Sequence, residues 1–248
     1  MRLKSKTICA LLLCFVISCP GLKAQLTPGD SLILDSATAL AIRQYHNYIT
    51  PETDLYRGPE YADYSYQLKE GSPYFTDSLL EGAILYNKVL YEHVGLLYDQ
   101  VLDLVVIKDP YDVWKIGLNR QHVDSFTILD HRFIRVGDSL NPTAPRNGFY
   151  EQLYLGRVML LKKQVKTIQI QNSFTSLSFE KYISTSVDYY LKKGGNYYAV
   201  NNEGSLLAAL KDKQKEAKRY IRSNHLRVRK DKENALLKVI TWYDGLTQ

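Results

Sequence analysis

Tyr189-Tyr190-Leu191-Lys192-Lys193-Gly194-Gly195-Asn196-Tyr197-Tyr198-Ala199-Val200 is the stretch from which the rest of the chain is read. Two runs of strand-forming residues flank Gly194-Gly195, a two-residue loop able to take the positive φ that tight hairpin turns require. Leu191 then stands opposite Tyr198. Upstream, from 83 to about 170, apolar runs of four to seven residues rich in Val, Ile, Leu, Tyr and Phe alternate with short polar breaks. The spacing predicts strands over 83–86, 89–94, 96–98, 101–107, 113–118, 123–129, 132–136, 149–155, 157–161 and 165–170. Breaks of two to five residues between most of them favour antiparallel neighbours, because a parallel pair needs a crossover of a dozen or more. The expected topology is a meander, with its longest loops at 141–147 and 171–179. Asn87-Lys88 has the length of a tight turn but places Lys where glycine is preferred.

Downstream of the hairpin the apolar period changes to that of a helix. Leu207, Leu210, Gln214, Ala217 and Ile221 recur at intervals of three and four, one stripe of a helix over 205–223, with Asn224 as a left-handed cap. Asp231 caps a second helix whose inward face is Ala235, Leu236, Val239, Ile240, Tyr243 and Leu246. Near the other end, 36–48 reads as a short amphipathic helix closed by Thr50-Pro51. Residues 51–82 are dense in turn formers and tyrosine. The fold class is therefore α+β and mainly β: an antiparallel meander sheet or partly closed barrel, with a short N-terminal helix and a C-terminal two-helix hairpin.

Composition supports a foldable chain: 248 residues, 45% hydrophobic and 23% charged, which excludes disordered, collagenous and rod-like classes. The first 24 residues join a basic start (Arg2, Lys4, Lys6) to an apolar run over 8–17 that is too short to span a bilayer. They read as a signal peptide cut after Ala24. A rival reading takes Val16-Ile17-Ser18-Cys19 as a lipobox and anchors a lipoprotein at Cys19. The organisation expected is thus 1–24 leader, 25–82 helix and turn-rich segment, 83–203 antiparallel β domain and 204–248 basic helical hairpin.

Without the leader, four of the 32 basic residues go and the formal charge falls from +6 to +2. All three cysteines, Cys9, Cys14 and Cys19, go with it, removing disulfides, thiol nucleophiles and cysteine metal sites. No later segment reaches 18 uninterrupted apolar residues, so no transmembrane helix is expected in the mature chain. The remaining charge is uneven: residues 210–248 hold 11 basic and five acidic side chains.

Catalytic signatures are thin. The five histidines lack zinc-protease spacing, and neither a Gly-x-Ser-x-Gly elbow nor a phosphate-cradling glycine loop occurs, so no cofactor or metal is implied. His122 and His131 beside Asp124 and Asp130 are a set that successive strands could bring together, and two ordinary strand histidines are the simpler account of them. Asp99, Asp103, Asp109 and Asp112 are the carboxylates from which a glycosidase-like pair would be drawn. Asp109-Pro110-Tyr111-Asp112 is more simply a β-turn. Lys211, Lys215, Lys218 and Arg222 follow the apolar stripe one residue later, about 100° around the helix, and form a candidate anion-binding face that Lys213 and Arg219 widen. Of the 20 tyrosines, most suit cross-strand packing. Tyr61 and Tyr64, with Tyr66 and Tyr74, are the candidates for an exposed recognition surface.

Leu55-Tyr56-Arg57-Gly58-Pro59-Glu60-Tyr61, Leu90-Tyr91-Glu92-His93-Val94, Gly148-Phe149-Tyr150-Glu151-Gln152-Leu153-Tyr154, Gly195-Asn196-Tyr197-Tyr198, Lys211-Asp212-Lys213 and Arg229-Lys230-Asp231-Lys232-Glu233 together resemble an uncharacterised family of exported proteins of Gram-negative bacteria. The resemblance covers most of 50–248. It implies a periplasmic or secreted location and brings no active site, and Lys88 departs from the glycine its pattern would place after Asn87. The function expected is a non-enzymatic envelope-associated module that binds a protein, glycan or anionic lipid surface, and not nucleic acid. The alternative is a hydrolase of an envelope polysaccharide or peptide working through a carboxylate pair.

Overall fold

The computed structural model describes residues 54–64, 68–137, 145–172 and 179–246. The leader, the helix expected over 36–48, Tyr66 and most of the two long loops lie outside them. Residues 51–248 form one compact unit. Its ten strands are β1 (Leu80–Tyr86), β2 (Val89–Asp99), β3 (Leu104–Lys108), β4 (Lys115–Gly117), β5 (Val123–Ile128), β6 (His131–Val136), β7 (Gly148–Leu155), β8 (Met159–Asn172), β9 (Phe179–Lys193) and β10 (Asn196–Ala199). They are antiparallel throughout, in the order β10-β9-β8-β7-β6-β5-β1-β2-β3-β4.

The meander holds within β1–β4 and within β5–β10 but is broken once, because β5 returns to pair with β1 rather than with β4. The outer edge of β4 is already occupied. Gly117 donates to the Pro59 carbonyl (2.9 Å) and Tyr61 to the Lys115 carbonyl (2.8 Å), so the turn-rich segment covers that edge. The free edge of β1 then takes β5.

Gly194 and Gly195 have φ of 55° and 82°, and Leu191 pairs with Tyr198 as the sequence predicts. Asn87 and Lys88 form the same kind of turn at φ 50° and 67°. Lys88 takes a backbone region that favours glycine, and its ammonium donates to both Asp124 carboxylate oxygens at 2.8 and 2.9 Å. Several runs read separately are single strands: 89–94 with 96–98 is β2, and 157–161 with 165–170 is β8. Residues 101–103 belong to a turn, with Asp103 at φ 54°.

Three helices follow: α1 (Glu203–Ala209), α2 (Gln214–Ser223) and α3 (Lys232–Leu246). The single helix expected over 205–223 is two, separated by a 3-10 turn at Lys211–Lys213. Asn202 caps α1, accepting from Ser205 N while the Ser205 hydroxyl accepts from Asn202 N. At the break, the Asp212 carboxylate accepts from Lys193 on β9 and from the Tyr243 hydroxyl on α3, the latter at 2.7 Å. Asn224 is not left-handed (φ −97°); His225 takes that position at φ 51°. On α3 the inward face is as expected except that Leu246 is 47% exposed and Asp244 is buried in its stead.

Two cores result. Leu206, Leu207, Leu210, Ala217, Ile221, Leu236, Val239 and Ile240 of the helices pack on Leu160, Tyr189 and Leu191 of the sheet. Each such fully buried aliphatic side chain contributes roughly 1.5–3 kcal/mol. The second core lies inside the curl of β1–β3 and β5–β7, where the Tyr98 ring sits 5.3, 5.1 and 6.0 Å from Phe126, Phe133 and Phe149. The sheet is open at β10 and β4, yet it coils far enough for the β2–β3 turn to reach β8, although four strands lie between β8 and β2 in its order. Gly82 permits that coiling at a β-bulge in β1, where a Cβ would lie 2.1 Å from the Thr127 carbonyl oxygen.

Gly82→Ala should therefore lower stability by about 2 kcal/mol or more. Gly245→Ala, on α3 where a Cβ meets nothing within 4 Å, should raise it by about 0.5 kcal/mol. Denaturant unfolding of both variants checks the contrast.

Candidate functional site

The basic face is where the sequence places it. Ala217 and Ile221 point into the core of α2, and one position later Lys218 and Arg222 stand exposed with Lys215 and Arg219. Lys215, Lys218, Arg219, Arg222 and Ser223 line an open surface depression. Glu216 is the one acidic residue of the helix and lies 3.8 Å from Lys213. Among the described residues no ion pair joins Lys215, Lys218, Arg219 or Arg222 to a carboxylate. Lys211 is exposed too but sits in the 3-10 turn before α2, off the helical stripe. Arg227, Arg229 and Lys230, exposed in the connection to α3, extend the positive region beyond the C-terminal end of α2.

The tyrosine surface is different from the one expected. Tyr61 is buried, and its hydroxyl donates to Asp99 Oδ2 at 2.9 Å and lies 3.2 Å from the Tyr74 hydroxyl. Burial, then the bonds to Tyr74 and Asp99, push the Tyr61 phenol far above its ordinary range. Tyr64, half-buried, donates to the same Asp99 oxygen at 2.9 Å. Both hydroxyls thus serve Asp99, which is fully buried and also accepts the N–H groups of Val101 (2.8 Å) and Leu102 (2.9 Å) on Oδ1.

The same turn is fixed at its other end by Asp103. Its carboxylate accepts from the Tyr98 hydroxyl (2.6 Å) and from Lys163 Nζ of β8 (2.7 Å), while Arg120 donates to the Asp103 and Leu102 carbonyls. Burial lowers the Lys163 pKa, and Asp103 offsets only part of that. Between them Gln100 accepts from Lys166 N and from the Gln164 side-chain amide.

The other chemical candidates are committed to structure. Asp109 is buried in its own turn and accepts from Val113 N (2.6 Å), Trp114 N (2.8 Å) and Tyr111 N (3.1 Å). Burial pushes its pKa up, but these backbone donors outweigh it and hold the carboxyl below its usual range. Asp112 pairs with Lys108 at 2.5 Å. None of the four carboxylates considered for a catalytic pair presents a group without partners.

His122 and His131 do not converge: His131 pairs across from Ile128, so six residues of extended chain, about 20 Å, separate it from His122. His122 packs edge-on against Tyr86, whereas His131 meets Glu151 at 2.5 Å. Glu151 continues through Lys162 to Glu233 of α3, to which Tyr189 also donates. Burial lowers the Lys162 pKa, but the two carboxylates more than reverse it. This chain ties α3 to the sheet. Among the described residues no His, Cys, Asp and Glu cluster is placed to hold a metal, and no helix is long and apolar enough to cross a membrane.

Sequence reasoning missed a cluster of exposed side chains on the β3–β4 loop. Tyr111, Val113 and Trp114 were placed in a turn and a strand but stand out from the β3–β4 loop. The run of strand formers hid them, because β4 begins only at Lys115. No known family model, characterised protein or solved structure matches the chain.

Asp99→Ala would leave two hydroxyls and two N–H groups without their acceptor, so a loss of about 3 kcal/mol or more is expected in thermal or denaturant unfolding. Asp99→Asn, which retains an acceptor for the two N–H groups, should lose less.

Proposed function

We propose that the protein is an exported, envelope-associated binding module without catalytic activity, and that the exposed face of α2 holds phosphate-bearing anionic surfaces such as acidic phospholipid or lipopolysaccharide. The carrying observation is the row Lys215, Lys218, Arg219 and Arg222, lining one depression with a single acidic residue on its helix. Four side chains of one sign on a rigid helix create a local positive potential that concentrates anions. The apolar stripe on the opposite side, locked into the helix–sheet core, sets the direction in which they face. The leader over 1–24 supports the envelope as the place of action, whether the mature chain starts at Gln25 or is anchored at Cys19.

The full chain should co-sediment with phosphatidylglycerol vesicles, and added salt should weaken the binding. Lys215→Ala, Lys218→Ala and Arg222→Ala combined should reduce affinity about 100-fold, at about 1 kcal/mol per cation near an anionic surface. Unchanged binding by the triple variant would overturn this assignment.

A further inference from the structure

We infer that the β3–β4 loop, residues 109–114, is a wedge that inserts Tyr111, Val113 and Trp114 into the interface of a lipid bilayer. This site is independent of the α2 face: β3 and β4 end the sheet at the side opposite β10, whereas the helices pack on β8 and β9.

Three observations converge on lipid. Tyr111, Val113 and Trp114 are 74%, 69% and 56% exposed, three apolar or amphipathic side chains within four residues. Tyr and Trp are the side chains that settle at a membrane–water boundary, their rings in the apolar layer and their polar tips at the headgroups. The backbone N–H groups beneath them are all used. Asp109 N donates to the Trp114 carbonyl (2.9 Å) and Asp112 N to the Asp109 carbonyl (3.0 Å). The N–H groups of Tyr111, Val113 and Trp114 all donate to the Asp109 carboxylate, and Pro110 has none. Every backbone donor from 109 to 114 is thus satisfied inside the loop, which removes the penalty that an unpaired N–H meets on leaving water.

The loop also offers no free cation to an anionic surface. Lys108 pairs with Asp112 at 2.5 Å and Lys115 with Asp63 at 2.7 Å, while the buried Asp109 carboxylate is turned onto backbone N–H groups. A wedge whose surface charges are already paired matches a zwitterionic surface and predicts binding indifferent to salt. The same bonding argues against other occupants. A glycan finds no backbone N–H left to donate in the loop, and a peptide strand finds the β4 edge taken by Pro59 and Tyr61.

The chain has two tryptophans, so Trp242→Phe leaves Trp114 as the sole indole reporter. Mixed with phosphatidylcholine vesicles, this full-length variant should shift its emission to the blue and be quenched by lipids brominated on the upper acyl chain. Both responses should persist in high salt and in the Lys215, Lys218 and Arg222 triple variant. In the Trp242-containing chain, Tyr111→Ser, Val113→Ser and Trp114→Ser combined should weaken vesicle co-sedimentation about tenfold or more without lowering the thermal midpoint, since all three side chains are exposed. Asp109→Ala keeps the three side chains but frees their N–H groups, and should weaken binding too.

An unshifted emission with protein left in the supernatant would overturn the proposal. So would full binding by the serine variant, or a response to an oligosaccharide or a protein partner but not to vesicles. Loss of the response in high salt and in the α2 variant would place the contact on α2 instead.

Discussion

A carboxylate held out of water needs donors on every side, and Asp99 is the place where this fold meets that requirement. It gathers Tyr61 and Tyr64 from the N-terminal segment and Val101 and Leu102 from its own turn. Four residues on, Asp103 does the same with Tyr98 and Lys163. The turn joining β2 to β3 becomes a polar clasp that fastens one half of a coiled sheet to β8 in the other. Residues 69–75 add to the fastening, with Lys69 N donating to the Lys181 carbonyl (2.9 Å) and Ile183 N to the Glu70 carbonyl (3.1 Å) on β9, and Phe75 N to the Tyr98 carbonyl (2.8 Å) on β2.

The clasp shapes what is left for function. Tyrosines that look like a recognition surface are used to satisfy a buried acid, and the acids that look catalytic are used to stiffen turns. Two exposed surfaces of different character stand out among the described residues. One is a cationic helix face set by an amphipathic stripe, and the other is an aromatic loop whose stiffness comes from a single aspartate, Asp109. Each owes its direction to a buried partner: Ala217 and Ile221 for the first, the Asp109 carboxylate for the second.

What could be read in the sequence divides along the range of the interactions. The hairpin at Gly194-Gly195, the antiparallel strands, the two-helix end and the exposed row Lys215, Lys218, Arg222 follow from local period and turn chemistry, and the structure has them. The first half of β9 was not legible. Residues 179–188 pair with β8 along their length, but exposed and polar positions interrupt the apolar run a buried strand shows. The return of β5 to β1 depends on Pro59 and Tyr61 covering β4, more than 50 residues away in sequence. The break at Lys211–Lys213 depends on Asp212 reaching Lys193 and Tyr243. The burial of Tyr61 depends on Asp99. Each is a long-range polar contact, and periodicity carries no record of such contacts.

Amide hydrogen exchange at Val101 and Leu102 tests the clasp most directly, because their N–H groups end on a fully buried carboxylate in a segment that would otherwise be a hairpin tip. Protection approaching that of the central strands, lost in Asp99→Ala, is the predicted result. Exchange at the rate of an open turn in the unaltered protein would contradict it.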